Sequence, residues 1–154
     1  MRKFVTVVGA AALFSLAPVN AQAQVYLGPT LSTYEFDDFG IGGTIGFDLP
    51  SVAEGVGFMG DLIVYFPEAG NVVEVNLNGT YDIPIEDSSV LPFVLGGLSI
   101  LRGSGETDVN LNLGGGVGFD AGTVRPKVGL RLVVGNGNTS WAMFATLPFL
   151  VSSN

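Results

Sequence analysis

A chain of 154 residues with no cysteine and no histidine cannot be a disulfide scaffold, and it lacks the base that activates a serine or cysteine nucleophile. Fourteen acids against six bases give a formal charge of −8, which makes nucleic acid a poor partner. Only 13% of the residues are charged and the mean hydropathy is positive, whereas a water-facing surface uses roughly a quarter or more charged residues.

The first stretch explains part of that hydropathy. Arg2 and Lys3 precede an apolar run over residues 4–16, then Pro18, then Ala21-Gln22-Ala23, a small-x-small cleavage site. This order predicts a secretory signal peptide over residues 1–23, cut after Ala23. The run is too short for a spanning helix, and no other stretch approaches the ~20 apolar residues one needs. What remains, residues 24–154, is expected to be one domain in which four bases face fourteen acids.

From residue 25 onward the apolar period is two, with no helical period anywhere. Residues 25–36 read as a strand, and 41–49 answer it, Ile41, Ile45, Phe47 and Leu49 alternating with Gly42, Thr44, Gly46 and Asp48. In 56–66, Phe58, Leu62, Val64 and Phe66 oppose Met59, Asp61, Ile63 and Tyr65. In 72–83, Val73, Val75, Leu77, Tyr81 and Ile83 oppose Glu74, Asn76, Asn78, Thr80 and Asp82. Residues 91–101 are apolar on both faces. Then Val109, Leu111, Leu113, Val117 and Phe119 oppose Asn110, Asn112, Gly114, Gly116 and Gly118. After a turn over 120–126, Val128, Leu130, Leu132 and Val134 oppose Lys127, Gly129, Arg131 and Gly135. A last strand, 140–151, places Trp141, Met143, Leu147 and Phe149 on one face.

Eight strands of about ten residues, joined as four hairpins by short turns, have the length and number of a small transmembrane barrel. Alternation alone does not say which face is inside. The polar face here is Gly, Asn and Thr with isolated charges, which suits a crowded lumen better than a hydrated exterior, so the Leu111 and Leu130 rows are expected to face lipid. The fold expected is therefore all-β, an eight-stranded antiparallel up-and-down transmembrane β-barrel following a cleaved signal peptide. Both termini then lie on the periplasmic side, and the tips near Asp37, Glu68, Glu106 and Asn136 face outward.

The runs LNGTYDIPIEDSSVLPFVLGGLSI, DVNLNLGGGVGF and VRPKVGLRLVVGNGN resemble the small eight-stranded outer-membrane barrels of the outer-membrane protein A and X type. More closely, the chain resembles the uncharacterised "outer membrane protein beta-barrel domain" proteins, over residues 26–149. The PFVLGGL and LNLGGGV strands carry the likeness, and they specify architecture without specifying an activity. The resemblance implies a monomer in the outer membrane of a Gram-negative-type bacterium, surrounded by lipid and inserted by the barrel-assembly machinery. Such barrels usually end on an aromatic residue which that machinery reads; here the chain continues FLVSSN, so Phe149 would serve with a short extension.

The candidate site is the interior. Asp48, Asp61, Glu74, Asp82, Asp120, Lys127 and Arg131 are placed inward, and Lys127 and Arg131 are expected to find Asp61, Glu74 or Asp82 across the barrel, since an unpaired charge there is costly. Read plainly, these five form a structural ionic network; read sharply, they line a narrow channel. Catalysis is not expected: Ser32 and Ser99 have no activating partner, and paired carboxylates beside Lys and Arg predict salt bridges. No cofactor is expected, and Asp37-Asp38 or Glu106 with Asp108 are read as solvated loop charges rather than a metal site. Tyr26, Tyr34, Phe47, Phe66, Tyr81, Phe93, Phe119, Trp141 and Phe149 lie mostly near strand ends and are expected in the interfacial girdles. A rival stays open: a soluble, exported, lipocalin-like barrel whose Leu111 and Leu130 rows line a cavity for a hydrophobic small molecule.

Overall fold

The structure, a computed structural model, describes residues 24–68, 70–103, 105–135 and 137–152. The signal segment 1–23 lies outside the described residues, as does Asn136. The strands are β1 (Val25–Tyr34), β2 (Asp38–Asp48), β3 (Val56–Tyr65), β4 (Val72–Asp82), β5 (Val90–Gly103), β6 (Glu106–Phe119), β7 (Lys127–Gly135), β8 (Asn138–Thr146) and β9 (Phe149–Ser152). Neighbours from β1 to β8 pair antiparallel in sequence order. β1 pairs with β2 on one side and with both β8 and β9 on the other, so the sheet closes on itself and leaves no edge. β8 and β9 are two halves of one stave, and the architecture is an all-β, closed, eight-stranded antiparallel barrel.

The split in the last stave departs from the single strand expected over 140–151. Thr30 pairs with Thr146 and Leu27 with Phe149, the same register on both sides of the break, so no residue is inserted. Between those pairs Leu147 N donates to Pro29 O at 3.0 Å, but neither Pro29 nor Pro148 has an N–H to return, and the ladder lapses for two residues. β5 and β6 run longer than expected. They pair without interruption from Val90 and Phe119 to Gly103 and Glu106, closed by a tip in which Gly105 takes the left-handed region, φ 86°.

Alternation along each strand sorts the side chains by polarity in the sense opposite to a soluble barrel. Leu111 and Leu130 are 57% and 55% exposed, while their chain neighbours Asn112 and Arg131 are fully buried inside. Leu27, Leu31, Ile41, Leu62 and Leu132 extend the exposed apolar rows around the barrel. β5 looks apolar on both faces because its inward positions Phe93 and Leu95 join Met59 and Phe144 in a small apolar cluster within the lumen.

The interior is crowded to the backbone. A Cβ added to the inward-facing Gly97 would fall 2.0 Å from Leu77 O, and one added to Gly116 would fall 2.0 Å from Val128 O, so only glycine lets the strands coil this tightly there.

Candidate functional site: the lumen

Glu74 is the hub of the interior. It lies third in β4, at the tip end, on the parity that faces inward, and no part of it is exposed. Its Oε1 accepts from Tyr34 OH and Ser99 Oγ, both at 2.7 Å, and its Oε2 accepts from Tyr65 OH at 2.9 Å and Arg131 Nη2 at 2.5 Å. Four donors saturate the four lone-pair directions of a carboxylate. They come from β1, β3, β5 and β7, so one carboxylate ties four other strands to β4. Tyr65 OH also accepts from Arg131 Nη2 at 3.3 Å and lies 2.8 Å from Ser32 Oγ, whose own proton goes to Met143 O.

Asp61 is nearly as buried but differently placed. Arg131 Nη1 stands 3.9 Å from its Oδ2, and neither of its oxygens accepts a hydrogen bond among the described residues. Arg131 is thus shared between one carboxylate held in hydrogen-bond contact and one met only through space. Its guanidinium also lies 5.9 Å from the centre of the Phe144 ring. Beside this group Asn112 Nδ2 donates to Asn76 Oδ1 at 2.8 Å and Asn78 Oδ1 at 3.1 Å, an amide cross-link from β6 to β4.

The turn end holds a second, more open set. Lys127 Nζ meets Asp82 Oδ1 at 2.6 Å and sits 4.9 Å over the Phe93 ring. Arg125 pairs with Asp48 through Nη1 and reaches Asp120 at 3.4 Å through Nη2, with its guanidinium 4.7 Å over the Tyr26 ring. Gln24 Oε1 accepts from Tyr26 OH at 2.7 Å and from Arg125 Nη2 at 3.4 Å, so the start of β1 is fastened to the turn between β6 and β7. Asp48 and Asp82 end β2 and β4, and Arg125 and Lys127 stand at the entry to β7, which is why these charges converge at the mouth on the turn side.

Of the residues singled out from sequence, the structure brings Asp61, Glu74 and Arg131 together, and separately Asp82 and Lys127. Asp120 joins Arg125, a residue that sequence reasoning left in a turn. Ser99, read there as a serine without a partner, is a donor to Glu74. Tyr26, Tyr34 and Phe93 are corrections to the expected girdles. They share strand parity with Thr30, Ser32 and Leu95 and point into the lumen, where Tyr34 and Tyr26 spend their hydroxyls on Glu74 and Gln24. Phe66, Tyr81, Phe119 and Phe149 are exposed on the outer wall, with Phe47 and Trp141 partly so. Among the described residues no three carboxylates converge as a metal site would need.

Outward Leu111 and Leu130 also remove the cavity on which the lipocalin-like alternative depended. Within the barrel lies a cavity of about 30 Å³, lined in part by Tyr26, Thr44, Thr146 and Lys127, and wider depressions of about 300 and 440 Å³ open only at the mouths, beside Tyr34 and Tyr65 at the tips and beside Asp48 and Arg125 at the turns.

Apolar wall, closed ladder and filled polar lumen define a class, the small eight-stranded barrel of outer-membrane architecture. No protein-family model and no curated protein matches the chain. Three solved structures do match. The N-terminal β-barrel domain of Pseudomonas aeruginosa OprF superposes with a TM-score of 0.69 at 17% identity, covering 84% of this chain and 97% of that one. Neisserial surface protein A (NspA) gives 0.54 at 15% identity, covering 83% and 95%. The de novo designed TMB2.3 gives 0.54 at 9% identity, covering 87% and 98%. At these identities the likeness is one of fold.

Proposed function

We propose that this chain is an integral outer-membrane β-barrel of a Gram-negative-type envelope, with a structural or accessory role and no catalytic activity. The observation that carries the reading is the inverted sorting of side chains. Exposed Leu, Ile and Val rows surround an interior in which Asp61, Glu74, Asn76, Asn78, Asn112 and Arg131 are all buried. In water the exposed rows would forfeit roughly 25 cal/mol for every Å² left unburied; in hydrocarbon they are solvated, and the closed ladder leaves no backbone group unpaired at the edge. The architecture of OprF and NspA supports the same placement.

In this reading residues 1–23 are the cleaved signal, 24–154 the barrel, and lipid and the assembly machinery its partners, with Phe149 as the terminal aromatic. The five charges named from sequence, joined by Tyr34, Tyr65 and Ser99, close the lumen as an internal brace. Girdle positions fall to Phe47, Phe66, Tyr81, Phe119, Trp141 and Phe149. The test is fractionation of expressing cells with gels run unheated and boiled. The protein is expected in the outer-membrane fraction with a boiling-dependent shift in mobility; recovery as a soluble species without detergent would overturn the proposal.

A further inference from the structure

The outer wall is not evenly convex. Across β6, β7 and β8 it carries an open groove of about 620 Å³, where Gly115, outward on β6 and without a side chain, leaves a gap between the side chains of Val117 and Leu130. Its end on the tip side is formed by Phe36 and Trp141, whose rings meet edge to face with centroids 4.7 Å apart. Apart from the Trp141 indole N–H and the weakly accepting Met143 thioether, no side chain lining the groove can hydrogen-bond.

Phe36 is held there at a cost. It lies in the β1–β2 tip with φ 66°, in the left-handed region that bulky residues rarely adopt, and 67% of it is exposed. Glu35 N donates to Trp141 O at 3.2 Å, which fastens the tip to β8 and sets the ring beside the indole. A strained, exposed aromatic closing one end of an apolar trough is a clamp awaiting an apolar occupant.

We propose that the groove is a lipid site holding one acyl chain of a membrane lipid, clamped at its tip end by Phe36 and Trp141. The inference rests on the membrane reading above, because the groove is continuous with the apolar wall that lipid covers in that reading. The chemistry selects a hydrocarbon chain: the volume is that of a small-molecule site, and one indole N–H at its end cannot satisfy the repeated donors and acceptors of a peptide backbone.

Trp141 is the only tryptophan of the chain, so its emission reports on the groove directly. The full chain is folded into phosphatidylcholine vesicles in which a rising fraction of the lipid carries bromine along its acyl chains. Flotation with the vesicles tests the membrane reading on its own, and a chain that stays behind overturns it. For chains that float, the lipid site predicts quenching that saturates at a low brominated fraction, above the curve for random lipid contact. Val117→Phe, which fills the groove, and Phe36→Gly, which removes the clamp and relieves the left-handed strain, should each abolish the saturable part while the heat-dependent mobility shift is kept. Random-contact quenching in the wild-type chain, or a saturable part untouched by both variants, would overturn the site. So would quenching below the random curve that recovers when the protein is diluted in lipid, the signature of a second copy covering the groove.

Discussion

The two walls of this barrel are built from the same strands, one residue apart, and obey opposite rules. The inner wall is polar and so tight that neighbouring backbones fix its residue types; the outer wall is apolar, and most of its side chains have room around them. Specificity therefore resides mainly inside; Gly115, where a Cβ would fall 2.5 Å from Phe93 O, is the exception on an outer wall that otherwise needs mostly to be apolar. Glu74 is where that difference is greatest. Replacing it with alanine leaves Arg131 buried with Asp61 as its one counter-charge at 3.9 Å and strands the hydroxyls of Tyr34 and Ser99, while Tyr65 keeps Ser32 Oγ as an acceptor at 2.8 Å. Breaking a buried pair in this way costs about 3–5 kcal/mol. A urea titration of the folded barrel in vesicles, followed by loss of the fast-migrating unboiled band, should show a loss of that size for Glu74→Ala. Leu111→Ala on the outer wall, which exchanges one exposed apolar group for another, should lose far less, and equal losses would erase the contrast.

Gly96 and Gly97 put the same comparison into adjacent residues. A Cβ at Gly97 points inward and meets Leu77 O at 2.0 Å and the Asn78 Cα at 2.7 Å; a Cβ at Gly96 points outward and finds Leu113 Cδ2 at 3.7 Å, an ordinary contact. Overpacking against backbone costs about 1–3 kcal/mol, so Gly97→Ala should shift the urea midpoint by that equivalent, while Gly96→Ala stays within ~0.5 kcal/mol of wild type. A large loss at Gly96 would mean that the outer wall is also under steric control.

How far these rules could be read from the sequence differs between the walls. Period-two alternation in β4 and β6 is clean because the inward positions from Glu74 to Asp82 and from Glu106 to Gly118 are all Glu, Asp, Asn, Thr or Gly, and parity alone assigns the face. The lumen network was only half legible. Glu74 and Arg131 announce themselves as charges on the inward parity, but Ser99 gains its role from the register that sets Asn76 opposite Ser99, two residues along β4 from Glu74, and register depends on turn lengths that composition does not reveal. Tyr26, Tyr34 and Phe93 face the lumen because strand parity, and not nearness to a strand end, sets the wall. Arg125 was hidden because its neighbours Thr123 and Pro126 read as turn, although it docks on β1 and β2. The Pro29 and Pro148 lapse depended on two prolines, more than a hundred residues apart, falling beside each other at the closing seam.

Asp61 tests whether polarity inside is favourable in itself or only when it is partnered. Both Asp61 and Glu74 are buried beside Arg131, but Glu74 accepts four hydrogen bonds and Asp61 none, so the lumen carries two buried acids against one base at that level. A buried carboxylate in that state forfeits its hydration without recovering it through contacts, and a neutral side chain of the same shape escapes most of that penalty. Asp61→Asn should therefore stabilise the barrel, by about 1 kcal/mol on the scale set by unsatisfied buried groups, in the same urea titration that registers the loss in Glu74→Ala. A destabilised Asp61→Asn would show that attraction across 3.9 Å to Arg131 outweighs desolvation, and that the inner wall is held by its charges even where they do not touch.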